Sequence, residues 1–348
     1  LGLGQAFKGK VDVSFELLNK DSNLQLKKDF ISFHETSPLD ADLESFVGDN
    51  SIALKWSPLI SSFEELQRGH SWWMQDSRRR SFLPRSSNGR WQWYRNWLAD
   101  KMFIGFVRNG VGSASDQPTL LELRRTGKNR LNGFAAVMGE HLNHSRTPSF
   151  HHDYFLQKSM PVFRIEMGLG ECNKSTWDFL GGLGLKAAAV TSPLKVKALE
   201  CVDNRSARVE EFKALNTIVS KSEAWYSDFT DATGFEKLVE NFRDKSIVVW
   251  GAGGLLKMLK KQLPQACFYS SQEGEVREFS RACDSPDVVI WGVGREKWES
   301  SEKPVYPPTE WRPEYVLDLN YTEDSPGIEY AKLCGAKYIS GRQMFETQ

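Results

Sequence analysis

The chain has 348 residues, of which 40% are hydrophobic and 26% charged, a composition typical of a globular protein of two or three domains. Its 45 basic and 45 acidic residues balance, so no net field favours nucleic acid or an anionic membrane, and no apolar run approaches the roughly 20 residues of a membrane span. Five scattered cysteines indicate a reducing, cytoplasmic setting, and the histidines form no zinc motif, so we expect no metal site.

The first ~125 residues alternate short β-like runs with helical or loop segments, which predicts parallel βαβ units. The strand candidates are "KVDVSFEL", "KDFISFHE", "SIALKWSPL" and "KMFIGFVR". Four strands are half the number in a (β/α)8 barrel. A Trp- and Arg-rich stretch, residues 71–97, has no clear assignment, and the polar segment "RRTGKNRLNG" (124–133) marks a first domain boundary.

Three further strands are predicted in the middle of the chain, at "GFAAVMG", "VFRIEMG" and "KAAAVTSP", with helices between them. A second boundary is expected near residues 232–244. The last third, with strands in "KSIVVWG", "ACFYS", "PDVVIWG" and "YVLDLNY", is typical of a doubly wound parallel sheet.

A glycine turn between a strand and a helix predicts a nucleotide-binding site in this last third. Glycines 251, 253 and 254 allow close approach of backbone to a phosphate. Leu256 replaces the third glycine of the dinucleotide fingerprint, and a tight turn that binds nothing is the alternative. The segment "CFYSSQE" supplies neither the acid that selects NAD nor the arginine that selects NADP.

From about residue 131 to 348, the chain resembles the shikimate dehydrogenases. Seven short blocks occur in family order: "HSRTP…HH", "VTSPLK", "LNTIV", "TDATGF", "GAGG", "DLNY" and "GRQMFETQ". The resemblance implies Lys195 and Asp231 as the catalytic pair, with an NADP cofactor and NAD as a possibility. The substrate-binding residues it implies are Ser145, Thr147, Thr191, Asn216, Tyr321 and Gln348. The cofactor-binding residues it implies are Gly251, Ala252, Gly253, Gly254, Ser270 and Ser271.

Taken singly, these residues also have structural interpretations. Ser145 and Thr147 are typical helix caps before a proline, and Asp231 is a candidate N-cap for the segment that follows it. Asn216 is a candidate turn residue, and Lys195 a candidate surface lysine.

The chain departs from the family pattern at three further positions. Ala189 and Gly292 stand where asparagines are usual, and Phe229 replaces the asparagine of an Asn-Thr-Asp-Gly block. A dehydrogenase of shifted specificity, acting on quinate, and an inactive paralogue that binds a metabolite are therefore alternatives.

Residues ~9–120 resemble the second half of type I 3-dehydroquinate dehydratase, a (β/α)8 barrel. "FISFHETSP" implies His34 as the proton-transfer residue, and "IALKWSP" implies Lys55 as the Schiff-base lysine. "GSASDQPTL" places Ser113 and Gln117 near the substrate carboxylate. The alternative is that His34 and Lys55 are ordinary polar residues at strand ends.

The order of the two resemblances matches the fused dehydratase/shikimate dehydrogenases, with the first half of the barrel missing, so we expect a fragment or a remnant. The predicted architecture is α/β: a partial dehydratase barrel (1–128), a substrate-binding domain (131–231 with 336–348) and a Rossmann domain (232–335). The expected partner is a small-molecule substrate rather than nucleic acid or membrane, and the oligomeric state stays open.

Overall fold

A computed structural model describes residues 12–14, 30–34, 53–126, 132–140, 142, 145, 147–294, 298 and 305–347. Its contacts divide the chain into two compact units. One comprises Leu1–Asp203 with Ile218–Trp225, and the other comprises Asn204–Thr217 with Tyr226–Gln348. The three-domain division at residues 128, 231 and 335 stays a prediction.

The first unit begins with a parallel sheet of four short strands in sequential order, β1-β2-β3-β4. The strands are β1 (Asp12–Ser14), β2 (Phe30–Phe33), β3 (Ala53–Trp56) and β4 (Arg80–Phe82). Strands β2 and β3 are buried at every position, which shows that both faces are covered. Helix α1 (Phe63–Gln75) connects β3 to β4 and starts at a capping box formed by Ser62 and Glu65.

The segment "KMFIGFVR" is not a strand, so that prediction was wrong. Residues 101–107 form turns and irregular chain, and Arg108 makes a single bridge to Thr119. The backbone N–H of Ile104 donates to the hydroxyl of Ser81, at 2.9 Å, and so it is not available to a strand ladder.

The unassigned Trp-rich stretch folds into the end of α1, strand β4 and helix α2 (Gln92–Trp97), which helix α3 (Leu120–Thr126) follows. Its aromatic residues Trp91, Trp93, Tyr94 and Trp97 are buried. The Trp97 ring lies 5.0 Å from that of Phe134 on the next sheet. Aromatic packing, which leaves no regular period in the sequence, therefore determines this region.

A second sheet of the first unit has the order β6-β5-β7-β9, in which β5 pairs in parallel with both β6 and β7. Its strands are β5 (Phe134–Gly139), β6 (Val162–Glu166), β7 (Leu185–Val190) and β9 (Thr217–Lys221). The helices are α4 (Thr147–Gln157), α5 (Lys174–Leu183) and the one-turn α6 (Leu194–Lys197). Helix α5 begins with an Asn173 cap and ends at Gly184, whose φ of 111° requires glycine.

The second unit begins with β8 (Asn204–Arg205), α7 (Ala207–Phe212), β10 (Ala224–Asp228) and α8 (Asp231–Val239). Strand β8 pairs in parallel with β10, where Tyr226 lies opposite Asn204.

A five-stranded parallel sheet completes the second unit, with the order β12-β11-β13-β14-β15. Its strands are β11 (Ile247–Gly251), β12 (Cys267–Tyr269), β13 (Val288–Gly292), β14 (Tyr315–Asp318) and β15 (Lys337–Ile339). The helices are α9 (Leu256–Gln262), α10 (Pro326–Cys334) and α11 (Arg342–Thr347). The chain reverses its direction of progress between β11 and β13. In parallel sheets, ligands bind outside the carboxyl ends of the strands at such a switch point.

Candidate active site

Lys195 lies at the carboxyl end of β7, in a tight turn of the first unit. Thr191 directly follows the strand, and its N–H donates to the carbonyl of Met138 at 2.9 Å. The carbonyl of Thr191 in turn accepts from the N–H of Leu194 at 2.9 Å. Leu194 is fully buried and anchors α6, and Lys195 beside it is half-buried. The Ser192–Pro193 peptide bond is cis. The lysine is therefore held on a short, anchored helix rather than on a loose loop.

Gly139 makes room for this turn. It ends β5, next to β7, and a Cβ there would lie 2.5 Å from Cγ2 of Thr191 and 2.8 Å from the carbonyl oxygen of Ser192. Only glycine allows the two strand ends to approach this closely, because real Cβ contacts are longer. The glycine thus brings Thr191 against the neighbouring strand end.

Ser145 and Thr147 lie at the start of α4. The hydroxyl of Ser145 accepts from the N–H of Thr147 at 3.4 Å, which is a contact of the helix-capping kind. Arg164 of β6 donates to the carbonyl of Ser145 at 3.1 Å and to that of Leu142 at 3.2 Å. Sequence reasoning missed this arginine, which fastens the loop that carries both predicted substrate-binding hydroxyls.

Asn216 and Asp231 are joined in the second unit. The side-chain amide of Asn216 donates to Oδ1 of Asp231 at 2.8 Å and to the hydroxyl of Thr230 at 3.0 Å. Its carbonyl oxygen accepts from the N–H of Thr230 at 2.8 Å. Only 7% of Asn216 and 6% of Asp231 is exposed, so this network fixes the orientation of the carboxylate. Asp231 is the first residue of α8 and Thr230 its N-cap, so the N-cap interpretation of Asp231 was wrong.

Phe229, one of the departures from the family pattern, is a core residue. It is buried, and its ring lies 5.5 Å from that of Phe212 on α7. Ala189 is half-buried on β7, in register with Val137, and its methyl group offers no hydrogen bond.

The glycine turn after β11 lies at the switch point of the five-stranded sheet. Gly251, Ala252 and Gly253 all have positive φ, at 84°, 86° and 45°. A Cβ built on Gly253 or Gly254 would meet nothing within 4 Å, so open space adjoins this backbone. Ala252 takes up a conformation that is uncommon outside glycine. The turn therefore offers exposed backbone where a phosphate group would fit.

Gly292 is required by the same turn. Its carbonyl accepts from the N–H of Ala252 at 3.2 Å. A Cβ at position 292 would lie 2.6 Å from the nitrogen and 2.7 Å from the Cα of Ala252. The family asparagine is thus absent for a steric reason.

The chain turns back after β12. Ser270 donates its N–H to the carbonyl of Glu275 at 2.8 Å, and Val276 forms an antiparallel bridge with Tyr269. Ser271 is buried, and its hydroxyl lies 3.3 Å from the Cβ position of Gly251. The hydroxyl of Ser270 accepts from the N–H of Gln272 at 3.4 Å, within the turn itself.

This return brings Arg277 to the glycine turn, a residue that sequence reasoning missed. Nη2 of Arg277 donates to the carbonyl oxygen of Gly251 at 3.0 Å. Gly274 indicates a turn in the sequence, and its φ in the structure is 73°. A glycine alone does not predict that the chain then returns antiparallel to β12, so Arg277 could not be placed from the sequence.

Tyr321 lies between β14 and α10 and is half-buried, with its ring 5.1 Å from that of Phe345 on α11. Helix α11 packs against α8, the helix that begins at Asp231. Gln348 lies outside the described residues.

Lys55 is buried in a row of polar residues in the first sheet. Ser14, Ser32, Lys55 and Ser81 are register partners across β1, β2, β3 and β4. The ammonium group of Lys55 lies 4.8 Å from the ring centre of Phe106 and 5.8 Å from that of Phe30. His34 is exposed just beyond β2.

Ser113 and Gln117 bind each other, since the amide of Gln117 donates to the hydroxyl of Ser113 at 2.8 Å. Arg90 pairs with Glu171 and donates to backbone carbonyls. Burial lowers the pKa of Arg95 to about 10.

The described part of the chain holds no group of three His, Cys, Asp or Glu residues suited to a metal ion. Among its helices, none has the length and apolar character needed to cross a membrane.

Comparison with known proteins finds a family match in the middle of the chain. Residues 137–218 match the family described as the shikimate dehydrogenase substrate binding domain. The NADP(+)-dependent shikimate dehydrogenase of Clostridium perfringens is 31% identical over 132 residues, which are 36% of this chain and 49% of that relative. The chain thus spans about half the length of the first relatives it matches.

Two further comparisons cover more of the chain. The NADP(+)-dependent shikimate dehydrogenase of Cupriavidus taiwanensis is 26% identical over 254 residues, which are 61% of this chain and 84% of that relative. The crystal structure of shikimate dehydrogenase 1 from Peptoclostridium difficile has a TM-score of 0.51 and 19% identity, covering 62% of this chain and 90% of that one. Relatives named in this way are oxidoreductases. Residues 137–218 therefore resemble a shikimate dehydrogenase substrate binding domain, and the chain shares an α/β fold with parallel sheets with a solved shikimate dehydrogenase.

Proposed function

We propose that the protein is an NADP-dependent shikimate dehydrogenase that interconverts 3-dehydroshikimate and shikimate, with Lys195 and Asp231 as its catalytic pair. The main support is the buried hydrogen bond between Asn216 and Asp231, two positions to which the family resemblance gives a role in the reaction. An aspartate held by an amide at a helix start has a fixed direction and a favourable environment for its charge.

The proposed residue roles follow from the chemistry of ketone reduction. When bound, the dihydronicotinamide of the cofactor supplies a hydride to the carbonyl carbon. Lys195 gives a proton to the carbonyl oxygen, and Asp231 is the second member of the catalytic pair that the family resemblance implies. Ser145 and Thr147 bind the substrate carboxylate, Thr191 and Asn216 bind its hydroxyls, and Tyr321 and Gln348 close over it.

The residues around the glycine turn fit a dinucleotide. The open space beside Gly253 and Gly254 leaves room for a pyrophosphate against the backbone. The nearby nitrogen Nε of Arg277 is buried and has no hydrogen-bond partner among the described residues, which is expected of a donor that waits for a ligand. We assign this turn, with Ala252, Ser270 and Ser271, to cofactor binding.

A first test is reduction of NADP+ by shikimate, followed by absorbance at 340 nm in the wild-type protein and in Lys195→Ala. We expect turnover to fall by at least a hundredfold in the variant, while the unfolding midpoint changes little. A fall of less than about tenfold, ~1.4 kcal/mol of barrier, would argue against proton transfer by Lys195.

Lys197→Ala is the matched control. This lysine lies two residues further along α6 and pairs with Glu200, so its loss removes an equal charge from the same helix. The control should keep wild-type turnover. Quinate offered in place of shikimate tests the shifted-specificity alternative, and shikimate binding without turnover would indicate an inactive paralogue.

A second candidate function belongs to the first sheet. The row of Ser14, Ser32, Lys55 and Ser81, of which the last three are buried, supports a remnant of a type I 3-dehydroquinate dehydratase barrel, since polar rows of this kind are rare in a parallel sheet buried on both faces. We propose that the Lys55 amine condenses with a substrate ketone, with loss of one water, to form an imine. His34 then carries the proton for the loss of water from the bound substrate. Ser113 and Gln117 lie near the substrate carboxylate in this proposal.

Borohydride trapping tests this second function. Incubation with 3-dehydroquinate and sodium borohydride should add the reduced substrate to the wild-type protein and not to Lys55→Ala, as measured by intact-protein mass. Absence of an adduct in the wild-type protein would leave the sheet without a dehydratase role.

The domain division at residues 128, 231 and 335 is part of the proposal. So is a cytoplasmic location, which the five free cysteines support.

A further inference from the structure

The structure assigns to Arg277 the recognition of a phosphate on the 2′-position of the adenosine ribose, so that this arginine selects NADP over NAD. The inference rests on the proposed dinucleotide site and adds to it the residue that sets cofactor specificity. It replaces the arginine that is missing directly after β12, where this chain has Ser270 and Ser271.

Arg277 lies where an adenosine ribose would bind. In doubly wound sheets, the adenosine ribose lies at the carboxyl end of the second strand, beside the glycine turn that ends the first. Here those strands are β12 and β11, with Tyr269 opposite Trp250. The N–H of Arg277 donates to the carbonyl of Phe268 on β12 at 2.9 Å, and its Nη2 donates to Gly251 at the end of β11, at 3.0 Å. The side chain therefore extends from the second strand to the first at the level where the ribose binds.

The guanidinium of Arg277 has donors that can bind a ligand. Arg277 has five N–H donors, and its one side-chain hydrogen bond among the described residues goes to Gly251. The buried Nε has no acceptor in that part of the chain. A buried donor without an acceptor is costly, and a phosphate oxygen is an acceptor that the planar guanidinium binds in a two-pronged way.

The charge of Arg277 suits an anionic ligand. Within the described residues it forms no ion pair, although Glu273, Glu275 and Glu278 belong to the same segment. All three glutamates are exposed, so solvent weakens their fields at the guanidinium. A half-buried cation that keeps one carbonyl and no carboxylate as partners is suited to an incoming anion.

The surroundings of Arg277 favour a phosphate over a free hydroxyl group. The hydroxyl of Ser271 is 3.3 Å from the Cβ position of Gly251, the residue whose carbonyl holds the guanidinium. A hydroxyl and a guanidinium that both lie at Gly251 form a donor pair for a phosphate. The residues directly after β12 are Ser270, Ser271 and Gln272, so no acid there accepts a hydrogen bond from the free 2′-hydroxyl of NAD, and the donor set favours the phosphorylated ribose.

Isothermal titration calorimetry with adenosine 2′,5′-bisphosphate and adenosine 5′-monophosphate tests the assignment without relying on catalysis. The wild-type protein should bind the bisphosphate at least tenfold more tightly. Arg277→Ala should lose that preference and keep the affinity for the monophosphate. Arg281→Ala, an exposed arginine four residues away whose guanidinium donates to the carbonyl of Gln265, is the control and should keep the preference.

Arg277→Lys keeps the positive charge but lacks the planar guanidinium, and it serves as a second variant in case Arg277→Ala does not fold. It should fold and show an intermediate preference for the bisphosphate. A preference that survives in Arg277→Ala would overturn the assignment, and so would equal binding of both nucleotides by the wild-type protein. If the wild-type protein binds neither nucleotide, the dinucleotide site itself fails. If the preference is seen but shikimate is not oxidised, the assignment stands and the proposed dehydrogenase activity fails.

Discussion

At the scale of single residues, the three departures from the usual family pattern have different physical causes. Phe229 packs against Phe212 and contributes to the core, whereas Ala189 is half-buried on β7 and has no polar group where the family pattern has an asparagine. Gly292 is fixed by backbone contact with Ala252. Of the three changes, only the one at Ala189 therefore has no packing or steric explanation among these contacts.

The steric role of Gly292 gives a prediction. Gly292→Asn, which restores the family residue, should lower the free energy of unfolding by at least about 2 kcal/mol, because the new Cβ overlaps the backbone of Ala252. Urea unfolding followed by tryptophan fluorescence measures it. Gly294→Ala is the control, since its Cβ would lie 3.8 Å from the nearest atom, Oδ1 of Asn320, and it should change stability by less than about 0.5 kcal/mol. Equal stability of the two variants would contradict the steric account.

At the scale of elements, helix packing explains which glycines are needed. Gly69 lies in the middle of α1, where a Cβ would be 2.0 Å from the buried ring of Phe82 on β4. Gly182 lies in the last turn of α5 and is exposed, with nothing within 4 Å of its Cβ position. The two residues share a helical setting and differ in what faces them.

This contrast predicts opposite effects of one substitution. Gly69→Ala should destabilise the protein by about 1–3 kcal/mol, because the overlap with Phe82 outweighs the helix propensity of alanine. Gly182→Ala should stabilise it by up to ~1 kcal/mol, since only propensity changes. Thermal and urea unfolding of both variants measure the difference. Stabilisation by Gly69→Ala would mean that α1 is not packed on β4 in this way.

At the scale of the whole molecule, strands and turns could be predicted where the sequence carries a clear pattern. The strands of the last third follow from short apolar runs, and the lysine turn after β7 follows from the family blocks. The Trp-rich stretch could not be assigned, because burial of Trp91, Tyr94 and Trp97 against rings elsewhere in the chain fixes it without a periodic signal. Arg277 could not be assigned to the glycine turn from the sequence, because its position depends on an antiparallel return of the chain that the neighbouring residues do not predict.

Global stability should depend on pH through His70. Burial, with Lys101 nearby, lowers the pKa of this residue to about 4 from the ordinary 6.5. Its Nδ1 lies 2.9 Å from the hydroxyl of Tyr94, whose pKa burial raises, so the tyrosine stays protonated and donates to a neutral imidazole. The unfolded chain therefore binds the proton first, and stability should fall as pH decreases from about 6.5 to about 4.

The variant His70→Asn isolates this effect. The asparagine loses ring contacts with Trp73 and Phe179, which lowers stability by the same amount at every pH. The slope of unfolding free energy against pH should, however, be smaller than in the wild-type protein, as urea titrations across that interval would measure. An unchanged slope would show that His70 does not govern the acid response.

The return of the chain after β12 also has a consequence for solubility. Strand β12 lies at the edge of the five-stranded sheet, and exposed edges invite pairing with other molecules. The bridge of Val276 to Tyr269 and the N–H of Arg277 on the carbonyl of Phe268 occupy part of that edge. The segment that delivers the arginine thus also shields the sheet from edge-to-edge aggregation, so its sequence is constrained by self-association as well as by the cofactor.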